Sequence, residues 1–167
     1  MAQVSFTRTN PDPGPPPKQQ LRVLIAEDNR VLRMMTARLL EVSGYAVSCC
    51  VDGLEAIGLI EKQSFDLILT DLMMPGASGI EVLKATRRFQ PRAMVVMITG
   101  SPSPQTLLEA KRQGAYAYLG KPFNIKHLLS ILGNAVEQMR VRDNSHKGPK
   151  EEEGFVENVG STILPQL

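Results

Sequence analysis

Short apolar runs alternate with longer amphipathic segments between Leu21 and Arg140. The short runs are almost wholly apolar, which is typical of strands that are buried on both faces of a parallel sheet. The longer segments repeat their apolar residues at helical spacing. The predicted strands are LRVLIA, YAVSCCV, DLILT, AMVVMIT and AYAYLG, and the predicted helices that follow them are NRVLRMMTARLLEVSG, GLEAIGLIEKQ, GIEVLKATRRF, PQTLLEAKRQG and NIKHLLSILGNAVEQMR.

Strand–helix units in series predict an α/β fold in which a doubly wound parallel sheet carries helices on both faces. Local signals agree with this reading for the first helix, because Asn29 is a favourable N-cap residue and Gly44 is a plausible C-terminal stop. Gly58 and Gly133 fall inside predicted helices, where each costs about 1 kcal/mol relative to alanine. We expect these two helices to form in spite of that cost.

Both ends of the chain differ from this pattern. Residues 1–20 are rich in proline, which predicts an extended and solvated tail. The globular part is expected at 21–140, and residues 141–167 are polar enough to form a flexible tail or a linker. The alternative for this last segment is that its apolar residues dock on a partner or on the domain itself; these residues are Phe155, Val156, Val159, Ile163 and Leu164.

The composition narrows the classes of function. The chain has 167 residues, enough for one domain with its own core, and its net charge is only +2. Proteins that bind nucleic acids or membrane surfaces usually carry a marked positive patch, so neither partner is expected for this chain alone. The N-terminus lacks the apolar core of a secretion signal, and no apolar run approaches the roughly 20 residues that cross a bilayer. We therefore expect a cytoplasmic protein.

The sulfur-containing residues are interpreted as packing residues. Cys49 and Cys50 are adjacent in a predicted strand, so their side chains point to opposite faces and a disulfide between them would be strained. We expect both to behave as small buried hydrophobic residues. The methionines at 34, 35, 94 and 97 fall at core spacing and are expected to be buried as well.

Polar residues follow four of the five predicted strands. Glu27 and Asp28 follow the first strand, Asp71 the third, Thr99 ends the fourth and Lys121 follows the fifth. In an open parallel sheet the carboxyl ends of the strands share one edge, where ligands bind. The sequence therefore predicts that these side chains meet there, whereas Asp52, after the second strand, is more simply a helix-entry residue.

The grouping indicates phosphate chemistry. Clustered carboxylates repel one another unless a cation lies among them, and hard oxygen ligands suit Mg²⁺. Lys121 offers a positive charge and Thr99 a hydroxyl donor, both suited to phosphoryl oxygens. Asp71 is the best candidate for a nucleophile that forms an acyl phosphate, with Glu27 and Asp28 holding the metal ion.

Four stretches of the chain resemble a known family. LIAEDN, DLILTDLMMPGASGIEVL, VVMITG and AYLGKPF are similar, in order and spacing, to the motifs of bacterial response-regulator receiver domains, in particular stand-alone domains like the chemotaxis regulator. The similarity extends from about Leu21 to Arg140. Each motif alone is weak evidence for the family, but their joint occurrence in this order is specific for it.

The resemblance implies a flavodoxin-like fold with five parallel strands in the order 2-1-3-4-5. It implies that Asp71 accepts a phosphoryl group from a phosphohistidine, donated by a sensor histidine kinase or a phosphotransfer protein. Glu27, Asp28, Asp71 and the backbone carbonyl of Met73 would form the Mg²⁺ site. Such a protein is a phosphoacceptor in a two-component phosphorelay and not an enzyme with its own substrate.

The resemblance also implies a switch. Thr99 and Lys121 would bind the phosphoryl oxygens, and Tyr118 would turn inward when Thr99 is recruited. The surface of the fourth helix, fifth strand and fifth helix would then change and be read by a downstream protein. The Lys121–Pro122 bond is expected to be cis, and the chain to be a monomer or a weak dimer.

Two other functions are consistent with part of the pattern. A metal-dependent phosphatase could use an aspartyl phosphate, but such enzymes usually carry a second acid two residues after the nucleophile, and Met73 occupies that position. The chain could also be an interaction domain that works without phosphorylation, or a fragment of a longer regulator.

Overall fold

The computed structural model describes residues 20–144 and 156–158. Strands and helices alternate as the sequence predicts. The strands are β1 (Arg22–Ala26), β2 (Ala46–Cys50), β3 (Leu67–Asp71), β4 (Met94–Thr99), β5 (Ala117–Gly120) and β6 (Val156–Asn158). The helices are α1 (Arg30–Val42), α2 (Gly53–Lys62), α3 (Gly79–Phe89), α4 (Pro104–Arg112) and α5 (Ile125–Asn144).

All strands pair in parallel, in the order β2-β1-β3-β4-β5-β6. The order of the first five strands confirms the predicted flavodoxin-like fold. The order reverses between β1 and β3, and a crevice for ligands opens at such a switch point, outside the carboxyl ends of the strands.

The sixth strand was not predicted as a regular element. Its residues 156–158 lie in the segment expected to be a tail or linker, and they pair with Ala117–Leu119 at the outer edge of β5. This pairing agrees with the alternative that part of the segment docks on the domain. The predicted N-terminal tail lies outside the described residues, apart from Gln20.

The sheet separates two apolar clusters, because alternate residues of each strand point to opposite faces. On one face α1 and α5 cover the strands, and on the other face α2, α3 and α4 cover them. The first cluster includes Val23, Ile25, Leu67, Leu69, Val96, Ile98, Leu40, Leu128 and Leu132. The second includes Leu24, Ile68, Val95, Met97, Tyr118, Ala56, Ile60, Leu83 and Ala110.

Four helices begin with a side-chain cap at the carboxyl edge of the sheet. Each cap accepts a hydrogen bond from the backbone N–H three residues later, which satisfies a donor that the helix leaves free. The caps therefore fix where the chain leaves each strand and enters the next helix. The pairs are Asn29 with Leu32, Asp52 with Glu55, Ser78 with Glu81 and Ser103 with Thr106.

The prediction that all four methionines are buried was wrong for two of them. Met34 and Met35 are 57% and 60% exposed, whereas Met94 and Met97 lie in the core. The reason is the orientation of α1, which buries Thr36 and Leu40 against the sheet. Positions 34 and 35 consequently lie around the helix toward its outer side.

The two cysteines are both free, and they differ in exposure. Cys50 is buried, and its Sγ lies 3.6 Å from the Ile25 carbonyl oxygen, whereas Cys49 is exposed. Their opposite orientation is as predicted, but the expected burial of Cys49 was wrong. Because β2 is the outermost strand on its side of the sheet, one of its faces is left partly uncovered.

Candidate functional site

Three carboxylates converge at the carboxyl edge of the sheet. Glu27 and Asp28 follow β1, and Asp71 is the last residue of β3, the neighbouring strand. One oxygen atom from each of them lies within 4.8 Å of the other two. Glu27 and Asp71 are buried and Asp28 is exposed, so the group has a closed inner side and a side open to solvent.

Lys121 lies between the two buried acids. It follows β5, and its Nζ is 2.5 Å from Asp71 Oδ2 and 2.8 Å from Glu27 Oε2. Burial by itself would lower the pKa of Lys121, but hydrogen bonds and charge attraction from Asp71 and Glu27 outweigh it and raise this pKa. The amine therefore stays protonated and compensates the charge of the buried carboxylates.

Backbone groups also hold the acids in place. The N–H of Met73 donates to Asp71 Oδ1 at 3.0 Å, and the N–H of Asn29 donates to Glu27 Oε1 at 3.2 Å. The guanidinium of Arg33 donates to the carbonyl oxygens of Glu27 at 2.6 Å and Asp28 at 3.2 Å. Sequence reasoning missed Arg33, and its only signal was a basic residue one turn into the helix that follows the acidic pair.

Two glycines allow close backbone approach behind Asp71. A Cβ on Gly79 would lie 2.2 Å from the Asp71 carbonyl oxygen, and one on Gly53 would lie 2.0 Å from that of Ala77. The N–H of Gly79 donates to the Leu72 oxygen at 2.9 Å, which ties α3 to the end of β3. Sequence analysis did not identify either glycine as part of the site.

Thr99 reaches the same edge, but its hydroxyl is hydrogen-bonded to Ser101 and not to the acids. It is the last residue of β4, next to β3, where Asp71 pairs with Ile98. Its side chain is fully buried, and Oγ1 accepts a hydrogen bond from the N–H of Ser101 at 3.1 Å. The structure thus brings four of the predicted residues into one cluster and places Thr99 beside it.

Tyr118 lies in β5, the strand that leads to Lys121. Its side chain is fully buried, and its hydroxyl lies 2.6 Å from Thr106 Oγ1 in α4. The ring therefore links β5 to α4 instead of contacting the acids. The Lys121–Pro122 bond is cis, as the resemblance implied.

The donor set suits a hard divalent cation. Glu27, Asp28 and Asp71 could provide carboxylate oxygens, with solvent reaching the site beside Asp28. Among the residues described, no helix has the length and apolar character needed to span a membrane.

Fold and site together define an open parallel α/β domain with an acidic pocket at the carboxyl edge of its sheet. Residues 23–133 match the model of the response regulator receiver domain family. The chain belongs to this family.

The relatives include regulators that are longer than the matched segment. The transcriptional regulatory protein PdtaR of Mycobacterium tuberculosis is 38% identical over 122 residues, which cover 71% of this chain and 58% of PdtaR. The sensory/regulatory protein RpfC of Xanthomonas campestris is 30% identical over 126 residues, covering 73% of this chain and 17% of RpfC. The chain therefore spans less than two thirds of the length of these relatives.

Solved structures share the fold. A CheY-like receiver domain protein from Methanospirillum hungatei superposes with a TM-score of 0.72 at 28% identity, covering 74% of this chain and 98% of that one. A response regulator from Burkholderia pseudomallei, solved with a phosphorylated aspartic acid, a calcium ion and citrate, gives a TM-score of 0.65 at 32% identity. That match covers 78% of this chain and 76% of the other.

Membership of the family establishes the general role. Receiver domains are phosphoacceptor switches of two-component systems; they bind Mg²⁺ at an acidic pocket and interact with histidine kinases and effectors. The chain is the receiver domain of a signalling regulator and not a conventional enzyme, which argues against the phosphatase alternative.

Proposed function

We propose that Asp71 is the phosphoacceptor of this receiver domain. The observation that carries the proposal is the pairing of its buried carboxylate with Lys121 Nζ at 2.5 Å. Burial of a charged carboxylate costs free energy, so such a group usually has a charged partner or a functional role. Asp71 has the cation of Lys121 beside it, and the site opens to solvent at Asp28.

The chemistry follows from these positions. A carboxylate oxygen of Asp71 attacks the phosphorus of a phosphohistidine; the new P–O bond forms as the P–N bond breaks, and the imidazole leaves and takes up a proton. Lys121 neutralises charge on the phosphoryl oxygens, because its raised pKa keeps the amine protonated. The N–H of Met73 orients the acceptor by donating to Asp71 Oδ1.

Glu27, Asp28, Asp71 and the backbone carbonyl of Met73 would hold Mg²⁺. The fit rests on the donor set, since the three carboxylates offer hard oxygen ligands within 4.8 Å of one another. When bound, this ion adds positive charge beside the incoming phosphoryl group. Arg33 supports the site indirectly by holding the carbonyl groups of Glu27 and Asp28.

Thr99 and Tyr118 form the proposed switch. The Thr99 hydroxyl is buried at the end of β4 and would turn from Ser101 toward a phosphoryl oxygen on Asp71. The ring of Tyr118 couples β5 to α4 through Thr106 and would respond to that movement. Phosphorylation would thus favour one arrangement of the α4, β5 and α5 surface.

The proposed scheme implies two kinds of protein partner. The phosphoryl donor would be a sensor histidine kinase or a phosphotransfer protein, and a downstream protein would read the α4, β5 and α5 surface. We expect the chain to be a monomer or a weak dimer and to bind neither nucleic acid nor membrane by itself. The Burkholderia pseudomallei regulator with its phosphorylated aspartic acid supports the scheme at 32% identity.

Phosphorylation of the purified chain tests the proposal. We expect incubation with acetyl phosphate and Mg²⁺ to add one phosphoryl group, measured by intact mass spectrometry, and Asp71→Asn to abolish the addition. Asp143→Asn is the matched control, because Asp143 is an exposed acid on α5 that pairs with Arg92 at 3.6 Å, remote from the acidic group. Uptake by Asp71→Asn, or a phosphate that maps to another residue, would overturn the assignment.

A further inference from the structure

The outer edge of β5 is occupied by the chain's own C-terminal segment. β6 pairs with it in parallel, with Ala117 opposite Val156, Tyr118 opposite Glu157 and Leu119 opposite Asn158. The other side of β5 pairs with β4. Along these positions β5 is thus an inner strand of the sheet, and its backbone groups are not available to another protein.

We propose that β6 is a displaceable strand that binds the β5 edge within the same molecule and competes there with a partner protein. The proposal rests on the proposed function in one respect, namely that β5 belongs to the surface which a downstream protein reads. The segment is then a cover for that surface, and a partner must displace it to bind the edge.

The course of α5 favours pairing within one molecule. α5 begins at the carboxyl edge of the sheet, and its last turn reaches the opposite edge, where Asp143 pairs with Arg92, two residues before β4. β6 starts opposite Ala117, the first residue of β5, at that same edge. Asn144 and Val156 are 12 positions apart in the sequence.

The connection also has the usual topology. β5, α5 and β6 form a strand–helix–strand unit between parallel neighbours, like the units before it in the chain. Parallel strands need a crossover of a dozen or more residues, and α5 with its following segment provides one.

The shortness of β6 makes it suited to displacement. β6 has three residues, whereas the strands of the central sheet have four to six. A short edge strand adds few backbone hydrogen bonds, and each contributes little net stability. A longer or better matched strand from a partner could therefore replace it.

The covered strand also leads into the acidic site. Tyr118 lies opposite Glu157, and Lys121 follows directly after the end of β5, where its N–H donates to the Thr99 carbonyl oxygen at 2.7 Å. A change in β5 that follows phosphorylation would alter the edge that β6 binds. By reciprocity, release of β6 would alter the affinity of the site for a phosphoryl group.

Paired prolines in the full-length chain test the docking. Successive residues of a strand direct their N–H groups to opposite sides. The double variant Glu157→Pro with Asn158→Pro therefore removes the N–H that faces β5, whichever of the two residues carries it.

Tyr116 N–H donates to the Val95 oxygen, so the N–H groups of Ala117 and Leu119 face β6 and that of Tyr118 faces β4. We expect amide hydrogen exchange at Ala117 and Leu119 to become about tenfold faster in this variant. Unchanged exchange there would overturn the proposal.

The matched control is Ser161→Pro with Thr162→Pro, which places two prolines beyond β6. It should leave exchange at 117–119 unchanged. Both variants should keep the thermal unfolding temperature of the wild type within a few degrees, because the two apolar clusters lie between Val23 and Val136.

A labelled peptide with the sequence of residues 151–163 tests competition for the edge. Fluorescence anisotropy should show binding to the variant with prolines at 157 and 158, and at least tenfold weaker binding to the wild type, whose edge is occupied. Equal binding to both chains, or wild-type dimers that this variant loses in sedimentation, would overturn pairing within one molecule. The same results are expected with Asp71→Asn, so a failure of phosphorylation would leave this test unaffected.

Discussion

Lys121 is the residue on which the charge balance of the site depends. Its amine contacts two buried carboxylates, Glu27 and Asp71, and compensates charges that have little access to water. An unpaired buried charge is costly, so removal of one partner is more damaging than the net strength of the pair suggests.

We expect Lys121→Met to lower the free energy of unfolding by about 2–3 kcal/mol at neutral pH, because two buried carboxylates lose their cation. Mg²⁺ should restore part of the loss by occupying the acidic group. Urea unfolding with and without Mg²⁺ measures both effects.

Lys84→Met is the control, since Lys84 is exposed on α3. A Lys121→Met variant as stable as this control would contradict the compensating role of Lys121.

Site residues could be predicted from the sequence where a charged side chain directly follows a strand. Glu27, Asp28, Asp71 and Lys121 were found because charged groups directly after apolar runs are conspicuous, and a parallel sheet brings such positions together. Arg33 was missed because a side chain that hydrogen-bonds to backbone carbonyl groups leaves no repeating pattern in the sequence.

At the level of elements, glycine has different roles at two positions of the same helix, its start and its interior. Gly53 begins α2, where any Cβ would collide with the Ala77 carbonyl group, whereas a Cβ on Gly58, inside α2, meets nothing within 4 Å. Gly53 therefore permits the approach of α2 to the loop after β3, and Gly58 only weakens its helix.

Gly58→Ala should raise the free energy of unfolding by up to about 1 kcal/mol, because alanine is the better helix former and the space is open. Gly53→Ala should lower it by about 1–3 kcal/mol, because the backbone of the neighbouring loop must move. Urea unfolding of both variants measures the contrast, and two effects of the same sign would refute this assignment of roles.

Helix and strand positions were predictable because the periodicity of apolar residues changes between them. The exposed side of α1 could not be predicted in the same way. Met34 and Met35 fit the apolar spacing, and yet they lie outside the buried face that contains Thr36 and Leu40. Spacing locates a helix more reliably than it locates the edge of its buried face.

For the whole molecule, the order of the strands came from the resemblance to a family and not from the pattern of apolar residues. Crossover rules allow several orders for a series of strand–helix units. β6 escaped prediction because a polar segment can add a strand through its backbone alone, at the edge that β5 presents.

The stability of the whole fold should fall at alkaline pH. Burial raises the pKa of the Cys50 thiol from 9.0 to about 12, with the charges of Glu55, Cys49 and Asp52 adding to the effect. A raised pKa in the folded state gives stability that is present below pH 9.0 and is lost as the pH rises toward about 12.

Urea unfolding between pH 7 and pH 10.5 should therefore show a steeper decline for the wild type than for Cys50→Ala. The comparison uses slopes, because alanine also removes buried volume at all pH values. Tyr45 and Tyr116 have pKa values raised by burial and contribute equally in both proteins. Parallel slopes would refute the contribution of Cys50.

The acidic pocket joins parts of the chain that are made at very different times. Lys121 and Glu27 are separated by 94 positions, and β5 must be in place before the amine can reach the acids. While the ribosome is still making residues before Lys121, the nascent chain has its carboxylates but not their cation. Under the proposed function, a chain has the complete acceptor site only after Lys121 has been made, which is late in synthesis.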